Sequence, residues 1–305
     1  MNHEELLAYY STPGIFTTVG PFAEQVDALP GDIGEIARAV QMLVVHRFWA
    51  DAYKMTITPE RELEQGLHGA EAMLTRAMKR GPAAIGQIRL PDARVVGNCR
   101  HFSTMMTAFL RHKGIPARAR CGFSSYYQPG KYDDHWVCEY WNAADARWVQ
   151  VDAQLDTLQV SVIKADFDPL DVPRDRFVVA GAAWQMIHDG RANADDFGIA
   201  DMWGAWFVRG DLTLDVASLQ KVELLPWEPF GIAKGPESTI PDTPELMALV
   251  DRLVDLTADG GDASISELLD LAATDARLRP PEATIPAALK ADIEGPTVGN
   301  PVIAG

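Results

Sequence analysis

The stretch Gly97–Phe102, with the sequence GNCRHF, decides the fold of this chain. It opens a segment, Asn98–Lys113, whose apolar residues recur every three or four positions and so predict a helix with one apolar face. Those residues are Phe102, Met105, Met106, Phe109 and Leu110. Asn98 suits the N-cap of such a helix, and Gly114 suits its C-terminal end.

Cys99 is predicted to lie in the first turn of that helix. The positive end of the helix dipole stabilises a thiolate there, and backbone N–H groups without an intrahelical partner can bind an oxyanion. The sequence therefore makes Cys99 a candidate nucleophile.

Three strands are predicted after the helix, over 117–123, 135–141 and 147–152, and the last two form an antiparallel hairpin. A two-residue turn would place His135 opposite Asp152, and a four-residue turn would make them diagonal neighbours on the same face. A three-residue turn would put them on opposite faces. A carboxylate beside a histidine orients the imidazole as the base that a cysteine nucleophile needs.

Together these motifs resemble the core of the transglutaminase-like superfamily, whose members share a papain-like cysteine-protease core. The matching motifs are GNCRHF at 97–102, GIPAR at 114–118, DHWVCEYW at 134–141 and RWVQVD at 147–152. The resemblance implies an α+β fold in which the nucleophile helix packs on a small antiparallel sheet. It also implies that Cys99 is the nucleophile, His135 the general base and acid, and Asp152 the residue that orients the histidine.

A transglutaminase-like catalytic domain is predicted over residues 1–235, with its core at about 90–160 and helices over 1–89. The two clearest helical patterns of this N-terminal region cover 33–53 and 59–80.

The remaining residues, 236–305, are predicted to form an acidic helical tail. Amphipathic patterns at 244–257 and 264–278 predict two helices. The Pro- and Gly-rich end from residue 280 is expected to be extended or partly disordered.

The formal net charge of the 305 residues is −16, which argues against a dedicated nucleic-acid binder and against polybasic membrane attachment. The charge is unevenly distributed, because 236–305 holds 13 acidic and four basic residues, whereas 94–131 holds seven basic residues and no acid. This basic segment predicts a positive site that lowers the pKa of Cys99 and suits an anionic substrate. The tail is expected either to act as a solubilising segment or to fold back over basic surface.

Further candidates for substrate binding flank the proposed triad. They are Asn98, Tyr126, Tyr127, Asp134, Trp203 and Trp206. For the aromatic residues, packing in the core is the alternative. In this superfamily a second oxyanion donor usually lies upstream of the nucleophile, and Gln87 and Trp49 are the candidates here.

The three cysteines, Cys99, Cys121 and Cys138, are an odd number in a long chain and do not suggest a disulfide scaffold. With His101 they lack the spacing of a zinc site, so we expect neither a metal nor a cofactor. No apolar run approaches the roughly 20 residues of a membrane-spanning helix, and the acidic N-terminus has no signal-like segment. We therefore expect a cytoplasmic protein.

The resemblance implies acyl transfer through a thioester acyl-enzyme. The expected partner is an amide- or thioester-containing small molecule or peptide. Hydrolysis by an amidase or a peptidase is favoured, because a transferase needs a second, drier channel for an amine and the sequence shows none. An amine-transferring transglutaminase stays open, as does amide-bond formation with an acidic carrier protein bound at 94–131. A non-catalytic binding module with the same fold is a further alternative.

Overall fold

The computed structural model describes residues 1–238 and 242–296. The helices before the nucleophile are α1 (His3–Tyr10), α2 (Ala23–Asp27), α3 (Ile33–Leu43), α4 (Pro59–Glu62) and α5 (Ala70–Arg80). The others are α6 (Cys99–His112), α7 (Thr157–Ile163), α8 (Ala180–His188), α9 (Ala205–Leu219), α10 (Pro244–Thr257), α11 (Asp262–Thr274) and α12 (Thr284–Glu294). The strands are β1 (Val44–His46), β2 (Val95–Gly97), β3 (Ala117–Ser124), β4 (Tyr132–Asn142), β5 (Arg147–Val151), β6 (Phe177–Val179), β7 (Phe197–Ile199) and β8 (Met202–Trp203).

A six-stranded sheet forms the centre of the molecule, in the order β6-β3-β4-β7-β8, with β5 also paired to β4. Helix α6 packs against β3 and β4, and α9 packs against β3. The predicted α+β fold, with the nucleophile helix on a small sheet, is confirmed. The sheet is mixed rather than purely antiparallel, because β7 runs parallel to the start of β4.

The hairpin of β4 and β5 has the four-residue turn. Asn142 pairs with Arg147, and Cys138 pairs with Val151. Extending this register makes His135 and Asp152 diagonal neighbours on one face of the sheet, as the sequence allowed.

The predicted helix over 33–53 ends early, at Leu43. The next three residues form β1, which pairs in parallel with β2 so that His46 lies opposite Gly97. The β-branched pair Val44 and Val45 favours a strand, and pairing with β2 satisfies its backbone groups. The predicted helix over 59–80 is likewise broken, because α5 begins only at Ala70.

The basic segment 94–131 is not a positive surface, which corrects the expectation from its composition. Arg118 and Arg120 are fully buried, and both donate to the buried carboxylate of Glu139. Arg120 also binds Asp215, a residue of α9, through two nitrogens at 2.9 Å.

Two further buried arginines of this segment, Arg111 and Arg100, are also hydrogen-bonded. Arg111 donates to Glu223 at 2.9 Å, and Arg100 donates to the backbone carbonyl of His68 at 2.7 Å. Acids distant in sequence therefore neutralise much of the positive charge, since a buried charge is stable only when it is paired.

The described residues beyond 241 pack against the rest of the chain. Leu249, Val250 and Leu253 of α10 belong to one apolar cluster with residues of α8 and α9. The backbone carbonyls of Thr257 and Gly260 accept hydrogen bonds from Arg120 and Arg118, each at 2.8 Å. Of the two expectations for the acidic segment 236–305, the described part shows the one in which it folds back over basic residues. The domain boundary at residue 235 stays a prediction.

The end of the chain is more ordered than its composition predicts. Residues Thr284–Glu294 form α12 instead of an extended segment. Asp292 of that helix accepts hydrogen bonds from the backbone N–H groups of His68 and Gly69 at 2.7 and 2.8 Å. The rest of the predicted extended end, 297–305, lies outside the described residues.

Within residues 1–238 and 242–296, we find no helix whose length and apolar character would let it cross a membrane.

Candidate active site

Cys99 is the first residue of α6, and Asn98 precedes it with an extended backbone. The backbone N–H of Asn98 donates to Nδ1 of His101 at 3.2 Å, which ties the start of the helix together. Cys99 is only 6% exposed, and both it and Asn98 line a cavity of about 390 Å³. The helix therefore presents its first residue to a partly open cavity that a small molecule or a side chain could enter.

His135 lines the same cavity and is oriented by Asp152. The His135 Nε2 and Asp152 Oδ2 atoms are 2.8 Å apart, and both residues are buried. Because Nε2 is bound to the carboxylate, Nδ1 is the imidazole nitrogen that remains for a second partner. Strand β4 thus brings a histidine with a fixed ring orientation to the cavity that holds the thiol.

Asp152 is itself held by two further donors. The Tyr126 hydroxyl donates to Oδ2 at 2.6 Å, and the backbone N–H of Gln154 donates to Oδ1 at 3.0 Å. Three hydrogen bonds therefore fix the carboxylate beside His135.

The environment of Cys99 raises the pKa of its thiol well above the ordinary value. Burial is the largest cause, and the nearby carboxyl of Asp134 adds to it. Hydrogen bonds from the backbone of Trp136 and Arg100 act in the opposite direction without overcoming burial. This corrects the expectation that basic neighbours lower the pKa, so the resting residue is a thiol that needs a base to become a nucleophile.

Asp134 lies beside two other buried groups, Cys121 and Asp211. One potential ligand atom from each of the three residues lies within 4.8 Å of the others. Asp134 Oδ1 and Asp211 Oδ2 have no hydrogen-bond partner within residues 1–238 and 242–296, and burial raises the pKa of Asp134 to about 7. Among the described residues, Cys121, Asp134 and Asp211 are the group that could hold a metal ion. Protonation of the two carboxyls removes their charge equally well and needs no metal. The expectation of no metal and no cofactor stays a prediction.

The Asp134→Asn substitution is expected to speed the alkylation of Cys99 by iodoacetamide at pH 8 by about three- to tenfold. Above pH 7 the Asp134 carboxyl is mostly charged and opposes formation of the Cys99 thiolate. An asparagine removes that charge at similar volume, whereas near pH 5 the carboxyl is protonated and the two proteins should react alike. The rate is measured by mass spectrometry across this pH range. The control is Asp133→Asn, and equal rates for wild type and Asp134→Asn at pH 8 would contradict the expectation.

The predicted substrate-binding residues fall into two groups. Asn98, Tyr127 and Asp134 line the cavity together with Cys99 and His135. Tyr126 does not line the cavity, and its hydroxyl donates a hydrogen bond to Asp152, the partner of His135. Trp203 lines neither this cavity nor the next, and its indole N–H donates to the carbonyl of Ala200 at 2.6 Å.

A second cavity, of about 340 Å³, adjoins the first. Pro226 and Trp227 line both cavities and separate them. Trp206 lies on the wall of the second one, which is largely apolar, and Asp211 also faces it. Trp206 therefore does not line the cavity that contains Cys99.

Several residues of the main cavity were not singled out from the sequence. They are His46, Gln65, Gln154 and Trp227. His46 was missed because the helical pattern was extended through β1, although the pair Val44 and Val45 was a strand signal. Of the two candidates for a second oxyanion donor, Trp49 lines the cavity and Gln87 does not.

Comparisons with known proteins agree with this core. Residues 86–153 match the model of the transglutaminase-like superfamily. The comparison with curated proteins gave no match.

Two solved structures are similar in part. A protein from Cytophaga hutchinsonii, provisionally assigned as a cysteine protease, is 14% identical with a TM-score of 0.35, over 59% of this chain and 46% of that one. Red sea bream transglutaminase is 15% identical with a TM-score of 0.33, over 52% of this chain and 33% of that one. The matched region thus spans less than half the length of either protein. It is the family match that shows residues 86–153 to be similar to the core of the transglutaminase-like superfamily.

Proposed function

We propose that this protein is an amidase or peptidase that hydrolyses an amide through a thioester on Cys99. His135 serves as general base and acid, and Asp152 orients it. The observation that carries the proposal is the 2.8 Å hydrogen bond between His135 and Asp152, made beside a cavity that His135 shares with Cys99.

The raised pKa of Cys99 sets the first step. His135 Nδ1 takes the thiol proton as the sulfur attacks the amide carbon, because a buried thiol in this environment does not ionise unaided. Asp152 stabilises the imidazolium that forms. The leaving amine then takes the proton from His135, and the acyl group remains on sulfur as a thioester.

Water completes the reaction. His135 accepts a proton from water as the water oxygen attacks the thioester carbon, and then returns a proton to the departing sulfur. The acid is released and the Cys99 thiol is restored. Both half-reactions use the same two residues, so one fixed imidazole serves the complete cycle.

The proposal is tested by trapping the acyl-enzyme. Incubation with p-nitrophenyl acetate should place one acetyl group on Cys99 of the full-length protein, located by intact mass and peptide mapping. The Cys99→Ala and His135→Ala variants should not be acetylated at residue 99. The matched control is Cys138→Ala, which removes another buried cysteine, one whose sulfur accepts a hydrogen bond from the Thr107 hydroxyl. This variant should be acetylated at Cys99 as the wild type is. Acetylation of wild type at any residue other than Cys99 would contradict the proposal.

Transfer to an amine is the second candidate function, and the second cavity favours it. Because that cavity adjoins the first at Pro226 and Trp227, it offers an amine a separate approach to the thioester. The trapped acetyl-enzyme distinguishes the two. Acetate as the main product in the presence of millimolar butylamine supports hydrolysis, whereas N-butylacetamide as the main product supports transfer.

An acidic carrier protein at the segment 94–131 remains a prediction from the sequence. Arg100, Arg111, Arg118 and Arg120 are buried and cannot contact such a partner. Binding of a carrier would therefore depend on other residues.

A further inference from the structure

His46 is a second histidine in the cavity, and the proposed reaction gives it no role. It ends β1 and lies opposite Gly97 in the parallel pair of β1 and β2. Since Gly97 is two residues before Cys99, this register places His46 beside the start of α6. His46, Cys99 and His135 all line the one cavity.

The tautomer of His46 follows from its contacts. Nδ1 accepts a hydrogen bond from the backbone N–H of Phe48 at 3.2 Å, so it carries no proton. Burial, together with the charge of His135, lowers the pKa of His46 to about 3. The ring is therefore neutral at working pH, and its one proton is on Nε2.

The Nε2–H group is free to bind a ligand. It has no hydrogen-bond partner among the residues that the structure describes. A neutral imidazole N–H that is fixed in place and faces a cavity is a hydrogen-bond donor that needs no reorganisation when negative charge forms nearby.

Other side chains that line this cavity are less suitable donors. The amide nitrogen of Gln65 donates to the backbone carbonyl and to the carboxylate of Glu62, at 3.3 and 2.7 Å. Trp49 and Trp227 are the remaining competitors, because both line the cavity and the indole N–H of Trp227 has no hydrogen-bond partner among the described residues. Trp227 also lines the second cavity. Trp49 is the last residue of the short turn Arg47–Trp49 that follows His46, so it is farther along the chain from the β1–β2 pairing that fixes His46 beside Gly97.

We propose that His46 is a catalytic residue whose Nε2–H donates to the oxyanion formed when Cys99 attacks a carbonyl. The inference rests on the proposed acyl-transfer function. As the carbon–sulfur bond forms, the π electrons of the carbonyl move to its oxygen, and His135 holds the thiol proton. The backbone N–H of Cys99 and Nε2–H of His46 then bind that oxygen until the carbonyl re-forms and the leaving group departs.

Two reactions of the same thiol separate this role from a structural one. Acylation by p-nitrophenyl acetate passes through an oxyanion, whereas alkylation by iodoacetamide is a direct displacement at carbon and forms none. The His46→Ala variant should acylate about 100- to 1000-fold more slowly than wild type, the size of effect seen when one oxyanion donor is removed. Its rate of Cys99 alkylation should stay within about twofold of wild type, because the thiol and its base are unchanged.

The His46→Gln variant supplies a conservative comparison, because its amide N–H can replace Nε2–H, and it should recover part of the acylation rate. Trp49→Phe and Trp227→Phe each remove a competing indole N–H, and each should lose much less of the acylation rate than His46→Ala does. Circular dichroism spectra and melting curves establish that each variant is folded.

The outcomes separate the two proposals. The His46 assignment is overturned if His46→Ala acylates within about threefold of wild type, or if acylation and alkylation fall together. It is also overturned if the loss is found in Trp49→Phe or Trp227→Phe instead. If wild-type Cys99 is alkylated but not acylated, the acyl-transfer function fails, and the role of His46 fails with it.

Discussion

Replacing Asp152 with asparagine should lower the acylation rate of Cys99 by roughly 10³- to 10⁴-fold. The Asp152 carboxylate accepts the Nε2–H of His135, and this contact leaves Nδ1 unprotonated and able to take the thiol proton. The asparagine amide can donate to Nε2 instead, which moves the imidazole proton to Nδ1 and removes the base. The measurement is the rate of p-nitrophenol release by the full-length variant, with its fold checked by circular dichroism.

Tyr126→Phe is the matched control for that substitution. It removes the hydroxyl that donates to Asp152 Oδ2 at 2.6 Å but leaves the bond between Asp152 and His135 in place. We expect a loss of roughly tenfold or less, because the backbone N–H of Gln154 still holds the carboxylate. An Asp152→Asn protein that retains more than a tenth of the wild-type rate would refute the assigned orientation role of Asp152.

Deletion of residues 236–305 is expected to prevent folding rather than to remove a solubilising appendage. The deletion would expose the apolar surfaces of α8 and α9 that pack against α10. It would also remove the carbonyls of Thr257 and Gly260, which accept hydrogen bonds from Arg120 and Arg118. The free energy lost should exceed the roughly 5–15 kcal/mol by which a domain is stable. The measurements are the melting transition and the hydrodynamic size.

Two point variants of α10 show whether the loss comes from packing. Leu253 is fully buried, and Leu253→Ala should lower the free energy of unfolding by about 2–5 kcal/mol. Arg252 is on the same helix with its side chain 46% exposed, and Arg252→Ala should leave stability close to that of wild type. A truncated chain that melts like the full-length protein would instead mean that the acidic segment is a separate tail.

Local pattern was sufficient for the elements that carry the proposed nucleophile and base. The apolar spacing after Asn98 and the positions of Asn98 and Gly114 predicted α6 to within a residue at either end. The hairpin of β4 and β5 was also predictable, because the strand alternation and the polar turn at 142–146 are local features. Whether His135 and Asp152 are neighbours depended on the turn length, which the sequence left open and the structure gives as four residues.

The prediction was wrong for β1, a strand that forms only by pairing with a distant part of the chain. Val44–His46 continues a helical pattern in sequence, yet it becomes β1 because β2, some 50 residues later, supplies its backbone partners. The consequence for the site is large, since this pairing is what brings His46 beside Cys99.

The sequence by itself thus determined the superfamily resemblance, the helix that begins at Cys99 and the hairpin of the two strands next to His135 and Asp152, because residue spacing encodes these features locally. The turn length that makes His135 and Asp152 neighbours was left open by the sequence. Only the tertiary structure decided the electrostatics of the site. The basic segment 94–131 predicted a positive cavity, but Glu139, Asp215 and Glu223 neutralise its buried residues Arg111, Arg118 and Arg120, and burial raises the pKa of Cys99. The net charge of a segment is a sum over its residues. The electrostatic potential at a thiol depends instead on which charges are buried and paired around it. Those pairs form through contacts between distant parts of the chain.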